Sequence, residues 1–240
     1  MKIRVALFAA ALVSITALST SSAKTPSKLG ARSWTWTFEA DTLGRPPIHT
    51  GVFGGTWEVT QDSLSAAPTP TDSGAASGPD TSGVAPSAPP PRVLRQTEAD
   101  DGIEFHYVQF TKPVLRDVAA SVRFRIRSGQ IDPTAGILFQ LDSKGRSGYL
   151  VRVSGQKEAV IAHYLLYGKR RDLKIAKIEP PAPGTWHRLG ITRKGSILTV
   201  LYDGEEQFRV RDERFRKGTV GLWTEDDTVV DFADLQVSTN

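Results

Sequence analysis

The sequence has 240 residues, of which 39% are hydrophobic, and this is enough apolar material for one domain core. The 30 Lys and Arg residues exceed the 26 Asp and Glu residues by only four, and no concentrated basic patch is present, so the composition argues against nucleic-acid binding. The absence of cysteine excludes disulfides and cysteine nucleophiles.

The N-terminus has the features of a secretory signal peptide. Lys2 and Arg4 precede the apolar run Val5–Leu18, which is too short to span a bilayer as a helix. The small residues Ser21–Ala23 follow, which predicts cleavage after Ala23 and a signal peptide over 1–23. A buried N-terminal helix fits less well, because the run has no polar face. We therefore expect export to the periplasm or the extracellular medium, without a membrane anchor.

The next part of the chain combines a tether, two short strands and a segment of low complexity. Residues 24–33 are polar, and Trp34–Phe38 then alternates aromatic residues with Thr, the period of a β-strand. Gly55–Val59 is a second candidate strand. Residues 63–91 are rich in Pro, Ala and Ser, which predicts a disordered loop or an interdomain linker. The preceding residues are too few for a core of their own, which favours a loop within one domain, 34–240.

After Pro91, strand signals recur every eight to twelve residues or so, a spacing typical of a β-sandwich or barrel. Val118–Arg127 is the clearest, because apolar and polar residues alternate along it. Asp203-Gly204 separates two strand patterns and predicts a hairpin. The remaining predicted strands are Glu104–Phe110, Ala135–Leu141, Gly148–Val153, Ala159–Tyr167, Trp186–Arg193, Ile197–Tyr202, Gln207–Val210, Thr219–Thr224 and Val229–Val237. The domain is therefore expected to be all-β.

Several segments occur in the order in which one known family has them. The downstream pieces are Gly184–Leu189, Leu198–Gly204 and Lys217–Thr224; the upstream ones are Val93–Thr97, Ser121–Phe124, Ala135–Ile137, Gly148–Arg152 and Tyr167–Arg170. Together they resemble the concanavalin A-like lectin/glucanase superfamily, and specifically the 3-keto-disaccharide hydrolase-type domain related to glycoside hydrolase family 16. The resemblance implies a jelly-roll β-sandwich of two antiparallel sheets, with a concave face on which relatives bind or cut glycans.

The candidate ligand-binding residues are arginines, histidines and tryptophans. Arg123, Arg125 and Arg127 share one strand face, and Arg152 is expected on a neighbouring strand, where guanidinium groups could bind sugar hydroxyls or carboxylates. The alternatives are an ordinary solvated outer face and a surface for a partner protein. The other candidates are His106, His163, Trp186 and Trp223, for which structural histidines and core packing are the alternatives.

No local catalytic motif is present. Glycoside hydrolysis usually needs two carboxylates, but Glu98, Asp100 and Glu104 do not have the spacing of family 16, and a turn interrupts them. The acid run Glu225-Asp226-Asp227 is expected to be solvated, with a role as calcium ligand or catalytic acid as the alternative, and the four histidines lack metal-ligand spacing. No cofactor or metal is therefore expected.

Three hypotheses follow from these observations. The first is an exported carbohydrate-binding protein, the second is a glycan or 3-keto-disaccharide hydrolase whose acids come from separate strands, and the third is a non-enzymatic envelope scaffold.

Overall fold

The computed structural model describes residues 31–62, 90–99 and 105–239, and within them the chain forms fifteen strands and no helix. In chain order these are β1 (Ser33–Trp36), β2 (Thr50–Phe53), β3 (Trp57–Gln61), β4 (Arg92–Gln96), β5 (His106–Leu115), β6 (Val118–Ser128), β7 (Thr134–Leu141), β8 (Gly148–Ser154), β9 (Ala159–Leu166), β10 (Lys169–Lys177), β11 (His187–Lys194), β12 (Ile197–Tyr202), β13 (Glu205–Arg211), β14 (Gly218–Thr224) and β15 (Val229–Ser238). None of the described segments is a helix long and apolar enough to cross a membrane.

The strands form two antiparallel sheets. Sheet A has the order β13-β12-β11-β6-β15-β4-β3, with β1 also paired to β15, and sheet B has the order β10-β9-β8-β7-β14-β5-β2. The expected all-β architecture is therefore confirmed. The predicted hairpin at Asp203-Gly204 is also confirmed, because it connects β12 to β13.

The core lies between the two sheets, and the apolar residues that alternate with polar ones along β6 point into it. Val122, Phe124 and Ile126 are almost fully buried and belong to one core cluster, which includes Phe139 from sheet B. Burying each such side chain contributes roughly 1.5–3 kcal/mol relative to leaving it in water. The sandwich is therefore held by apolar packing without a disulfide, since the chain has no cysteine.

Three strands were not among the predicted ones: β2 and β10 at the two edges of sheet B, and β4 between β15 and β3 in sheet A, which was noted only as part of the resemblance. The strand β10 is mostly exposed and carries Lys and Arg along its length, a composition that protects an edge from pairing with other chains but hides the strand pattern. The strand β2 has only four residues. The strand β5 runs to Leu115 rather than to Phe110, and β11 begins at His187, one residue after Trp186.

Some of the predictions concern residues outside the described ranges. These are the signal peptide over 1–23, the part of the tether up to residue 30, the loop over 63–89, and the acids Asp100 and Glu104.

Candidate functional site

The structure separates the arginines that the sequence analysis grouped together. Arg123 and Arg125 lie on β6 in sheet A, whereas Arg152 lies on β8 in sheet B. The prediction that Arg152 occupies a strand next to β6 is wrong, because β6 pairs with β11 and β15 while β8 pairs with β7 and β9. Each sheet thus carries its own arginine cluster on the face turned away from the core.

The cluster on sheet A is an internal ion-pair network. Arg125 is only 3% exposed, and its Nη2 lies 2.6 Å from Asp62 Oδ1 and 2.7 Å from Asp231 Oδ2. Arg95 and Arg127 also contact Asp231. Burial alone would raise the pKa of Asp231, but the hydrogen bonds from Arg95 and Arg125 outweigh it and hold the pKa below its usual value. An ordinary solvated face is therefore a wrong description of Arg125.

Trp186 covers part of this network rather than filling the core. Its ring lies 4.6 Å from the guanidinium carbon of Arg123 and 4.5 Å from that of Arg125, both in cation–π geometry. Trp186 directly precedes β11 and is half-buried. The ring is therefore engaged by two arginines of its own chain.

The cluster on sheet B has a different composition, because two acids share one buried arginine. Arg152 Nη1 lies 2.7 Å from Asp132 Oδ2 and also contacts Glu225. Glu225 is 4% exposed, and its second oxygen accepts a hydrogen bond from Arg170. The prediction that the acid run is solvated is therefore wrong for Glu225. Burial raises the pKa of Glu225, although Arg152 and Arg170 oppose the shift.

Asp132, the second acid of this cluster, is also held by several hydrogen bonds. Asp132 Oδ1 accepts a hydrogen bond from Ser154 Oγ at 2.7 Å and one from the backbone N–H of Gln156 at 3.2 Å. Because Asp132 and Glu225 contact the same Nη1 atom of Arg152, their nearest oxygens are no more than about 5 Å apart. Each of these four carboxylate oxygens has a donor within the protein.

His163 holds Arg152 from the other side. Arg152 Nε lies 3.3 Å from His163 Nε2, and His163 Nδ1 lies 2.9 Å from Asp172 Oδ1. Burial, together with repulsion from Arg152 and Arg170, lowers the pKa of His163 to about 3. The imidazole is therefore neutral at physiological pH, with Nδ1–H donating to Asp172 and Nε2 accepting from Arg152.

Aromatic side chains complete the site. Trp223 is 1% exposed, and Arg170 and Arg152 lie 5.5 and 5.8 Å from its ring centroid. Phe105 lies 5.7 Å from Trp223, is half-buried, and also has Arg170 above it at 5.2 Å. Trp223 thus supports the arginines from below, while Phe105 is the aromatic ring that reaches the surface.

These groups line a cleft of about 570 Å³ on the outer face of sheet B. Its lining includes Phe105, Asp132, Arg152, Arg170, Glu225 and Asp226. We call this the sheet B cleft. It combines an apolar ring with guanidinium donors and carboxylate acceptors, the mixture of groups with which ligand pockets fix orientation.

His106 belongs elsewhere. It is fully buried at the start of β5, and its Nδ1 lies 2.7 Å from the amide nitrogen of Gln96 on β4 in the other sheet. Since the amide nitrogen can only donate, Nδ1 accepts, and the proton is on Nε2. This histidine connects β5 of sheet B to β4 of sheet A and does not line the sheet B cleft.

Sequence reasoning missed Asp132, Arg170 and Phe105 as members of the site and misplaced Glu225. Strand parity could have found Glu225, because it follows Trp223 by two residues and therefore faces the same way. Asp132 lies between two strands and carries no periodic signal. Within the described ranges, no group of three or more His, Asp or Glu side chains could hold a metal ion.

No protein-family model matches the sequence, and no curated protein matches it either. Solved structures do resemble this one. The carbohydrate-binding module CBM66 from Bacillus subtilis has 17% identity and a TM-score of 0.54, over 60% of this chain and 85% of that one. The exoplasmic/lumenal domain of VIP36, bound to Ca²⁺ and Man3GlcNAc, has 11% identity and a TM-score of 0.52, over 64% of this chain and 80% of that one. These similarities concern the fold, and they confirm the expected concanavalin A-like β-sandwich.

Proposed function

We propose that this chain binds carbohydrate in the sheet B cleft. The observation that carries the proposal is the fixed set of Arg152, Arg170, Asp132 and Glu225 beside the half-buried ring of Phe105. Sugars present hydroxyl groups that both donate and accept hydrogen bonds, together with apolar C–H faces. A site with prearranged donors, acceptors and an aromatic ring matches all three features.

Among Arg152, Arg170, Asp132 and Glu225, Arg170 has the most hydrogen-bonding capacity left for a ligand. Its side chain is 24% exposed, and its one hydrogen bond to the described residues runs from Nη1 to Glu225. A guanidinium has five N–H donors, so the rest can reach a bound sugar. Because Glu225 and the ring of Phe105 already position this arginine, little side-chain entropy is lost when it binds.

Two structures of this fold support the proposal through what they bind. One is named as a carbohydrate-binding module, and the other contains Man3GlcNAc. Their low identity transfers neither the glycan nor the binding residues to this chain.

The test is retention on immobilised polysaccharides and on a glycan array. Arg170→Ala is expected to weaken binding about tenfold or more, since a charge-assisted hydrogen bond contributes about 1.5–3 kcal/mol. Arg123→Ala is the matched control, because Arg123 is also partly exposed, pairs with one acid and lies over an aromatic ring in sheet A. Loss of binding in the control alone would place the site on sheet A. A folded wild type that binds no glycan would leave the scaffold hypothesis.

A hydrolase, including one acting on 3-keto-disaccharides, is the second candidate. The observation that favours it is the close approach of Asp132 and Glu225, since retaining glycosidases have carboxyl groups about 5–5.5 Å apart. Binding has the stronger support, because the donors on every oxygen of these two acids still leave lone pairs that can accept from sugar hydroxyls, whereas they oppose nucleophilic attack or proton transfer by the same oxygens. Release of reducing sugar, lost in Glu225→Gln, would decide for the enzyme.

We also propose that the chain is exported. The support is the sequence of residues 1–23, with two cations, an apolar run and a small-residue cleavage site. Expression of the full chain in a bacterial host should give a mature protein that begins at Lys24 in the periplasm or medium. Retention of Met1 on a cytoplasmic product would contradict export.

A further inference from the structure

The hairpin between β9 and β10 carries an exposed aromatic residue in an unfavourable backbone conformation. Tyr167 is 73% exposed and has φ of 53°, in the left-handed region, and Gly168 completes the turn with φ of 81°. Residues with a Cβ atom adopt this region reluctantly, and two-residue hairpin turns of this type favour Asn, Asp or Gly at the first position. A tyrosine here therefore combines backbone strain with an apolar ring in water.

The chain itself provides the comparison. The hairpin between β12 and β13 is also a two-residue turn, with φ of 50° at Asp203 and 87° at Gly204. There the first position holds an aspartate whose carboxylate accepts hydrogen bonds from the backbone of Arg188 and from the side chain of His187. In the same conformation, Tyr167 makes no side-chain hydrogen bond or ring contact with the described residues. Folding therefore does not explain the tyrosine.

The backbone of the turn is nevertheless held firmly. The N–H of Tyr167 donates to Ser147 Oγ at 3.2 Å, and the N–H of Gly168 donates to the carbonyl of Arg146 at 2.8 Å. The carbonyl of Tyr167 accepts a hydrogen bond from Arg146 Nη2 at 3.2 Å. The ring is thus free, but its point of attachment is fixed.

The turn also borders the sheet B cleft. Gly168, Lys169 and Arg170 follow Tyr167 directly, and all three line the cleft. Local strain that folding does not require often marks a functional position. An exposed aromatic ring beside a polar cleft is suited to stack against the apolar face of a sugar.

We propose that Tyr167 is a stacking platform for a sugar ring beyond the one held in the cleft, so that the ligand class is an oligosaccharide rather than a monosaccharide. This inference rests on the proposed carbohydrate binding. The cleft binds one ring through Arg170 and Phe105, and Tyr167 adds affinity only when the glycan extends past Gly168.

The experiment compares the wild-type full-length chain with Tyr167→Ala and Tyr167→Phe. Calorimetric titrations use glucose-, mannose-, galactose- and fructose-based ladders of one to six sugar rings. The wild type is expected to bind longer members more tightly, and Tyr167→Ala should lose about three- to tenfold of affinity for these while keeping its affinity for the shortest bound member. Tyr167→Phe retains the ring and should behave as the wild type.

A stability measurement separates this role from a structural one. Tyr167→Asn removes the ring and places a residue suited to the turn, so it should raise the urea midpoint while it lowers oligosaccharide affinity. A lower midpoint would show that Tyr167 serves folding and would overturn the inference. If Tyr167→Ala and the wild type bound every oligosaccharide of the ladders equally well, while binding still depended on Arg170, the role of Tyr167 would be overturned and the proposed carbohydrate binding would stand. A wild type that binds no probe overturns the proposed function as well.

Discussion

Replacing Arg152 by methionine should destabilise the protein strongly at neutral pH. Arg152 is 1% exposed and contacts both Asp132 and Glu225, so its removal leaves two buried acids without their shared cation. Breaking a buried ion pair from one side typically costs about 3–5 kcal/mol. Arg170 still contacts Glu225, and Ser154 still donates to Asp132, so we expect the lower part of this range.

The loss of stability caused by Arg152→Met should become smaller as the pH falls. The pKa of Glu225 is raised above its ordinary value of 4.5, so its ionised form is less stable in the folded state than in the unfolded one. Without Arg152 the pKa of Glu225 rises further, and protonation of Glu225 in the folded state then removes part of the free-energy cost of the substitution. The difference in unfolding free energy between Arg152→Met and wild type should therefore be largest near pH 7 and smaller at pH 5.

Urea unfolding followed by tryptophan fluorescence measures this difference at both pH values. Arg123→Met is the matched control, because the Arg123–Asp234 pair is partly exposed and should contribute less than about 1 kcal/mol. The double variant Arg152→Met/Glu225→Gln should recover part of the lost stability. A cost below about 1 kcal/mol for Arg152→Met, or one that does not change with pH, would refute the reasoning.

Two further predictions concern stability. The pKa of His163 lies at about 3 in the folded state against 6.5 ordinarily, so the stability that its neutral form contributes is fully present above pH 6.5 and is lost as the pH falls towards 3. His163→Gln should therefore make the urea midpoint change less between pH 7 and pH 5 than it does in the wild type. An equal change in both proteins would contradict the assignment of a neutral, buried His163. Gly221→Ala would place a Cβ atom 2.7 Å from the carbonyl oxygen of Val108 and should cost roughly 1–3 kcal/mol in thermal unfolding. Gly190→Ala, which meets no atom closer than 3.5 Å, is its control, and equal losses in both would argue against the steric explanation.

The sequence itself determined the fold class and most of the strands. The period-2 alternation of apolar residues along Val118–Arg127 and the turn signal at Asp203-Gly204 depend only on local geometry, and both appear in the structure. The edge strand β10 was not predicted, because an edge strand has little apolar surface to bury and so lacks the alternating pattern.

The site was only partly predictable. Arg152, His163 and Trp223 were named from the sequence, and the structure brings them together on sheet B. Arg123 and Arg125 were named with the same reasoning but lie on the other sheet.

Tertiary structure alone decided which charges meet. Strand parity shows that two side chains share a face of one strand, but it cannot show which strands become neighbours. Asp132 and Glu225 are separated by most of the second half of the chain, and they meet at Arg152 because β7 pairs with both β8 and β14. The contacts that define the sheet B cleft therefore depend on long-range strand order, whereas the existence of the strands depends on the local alternation of residues.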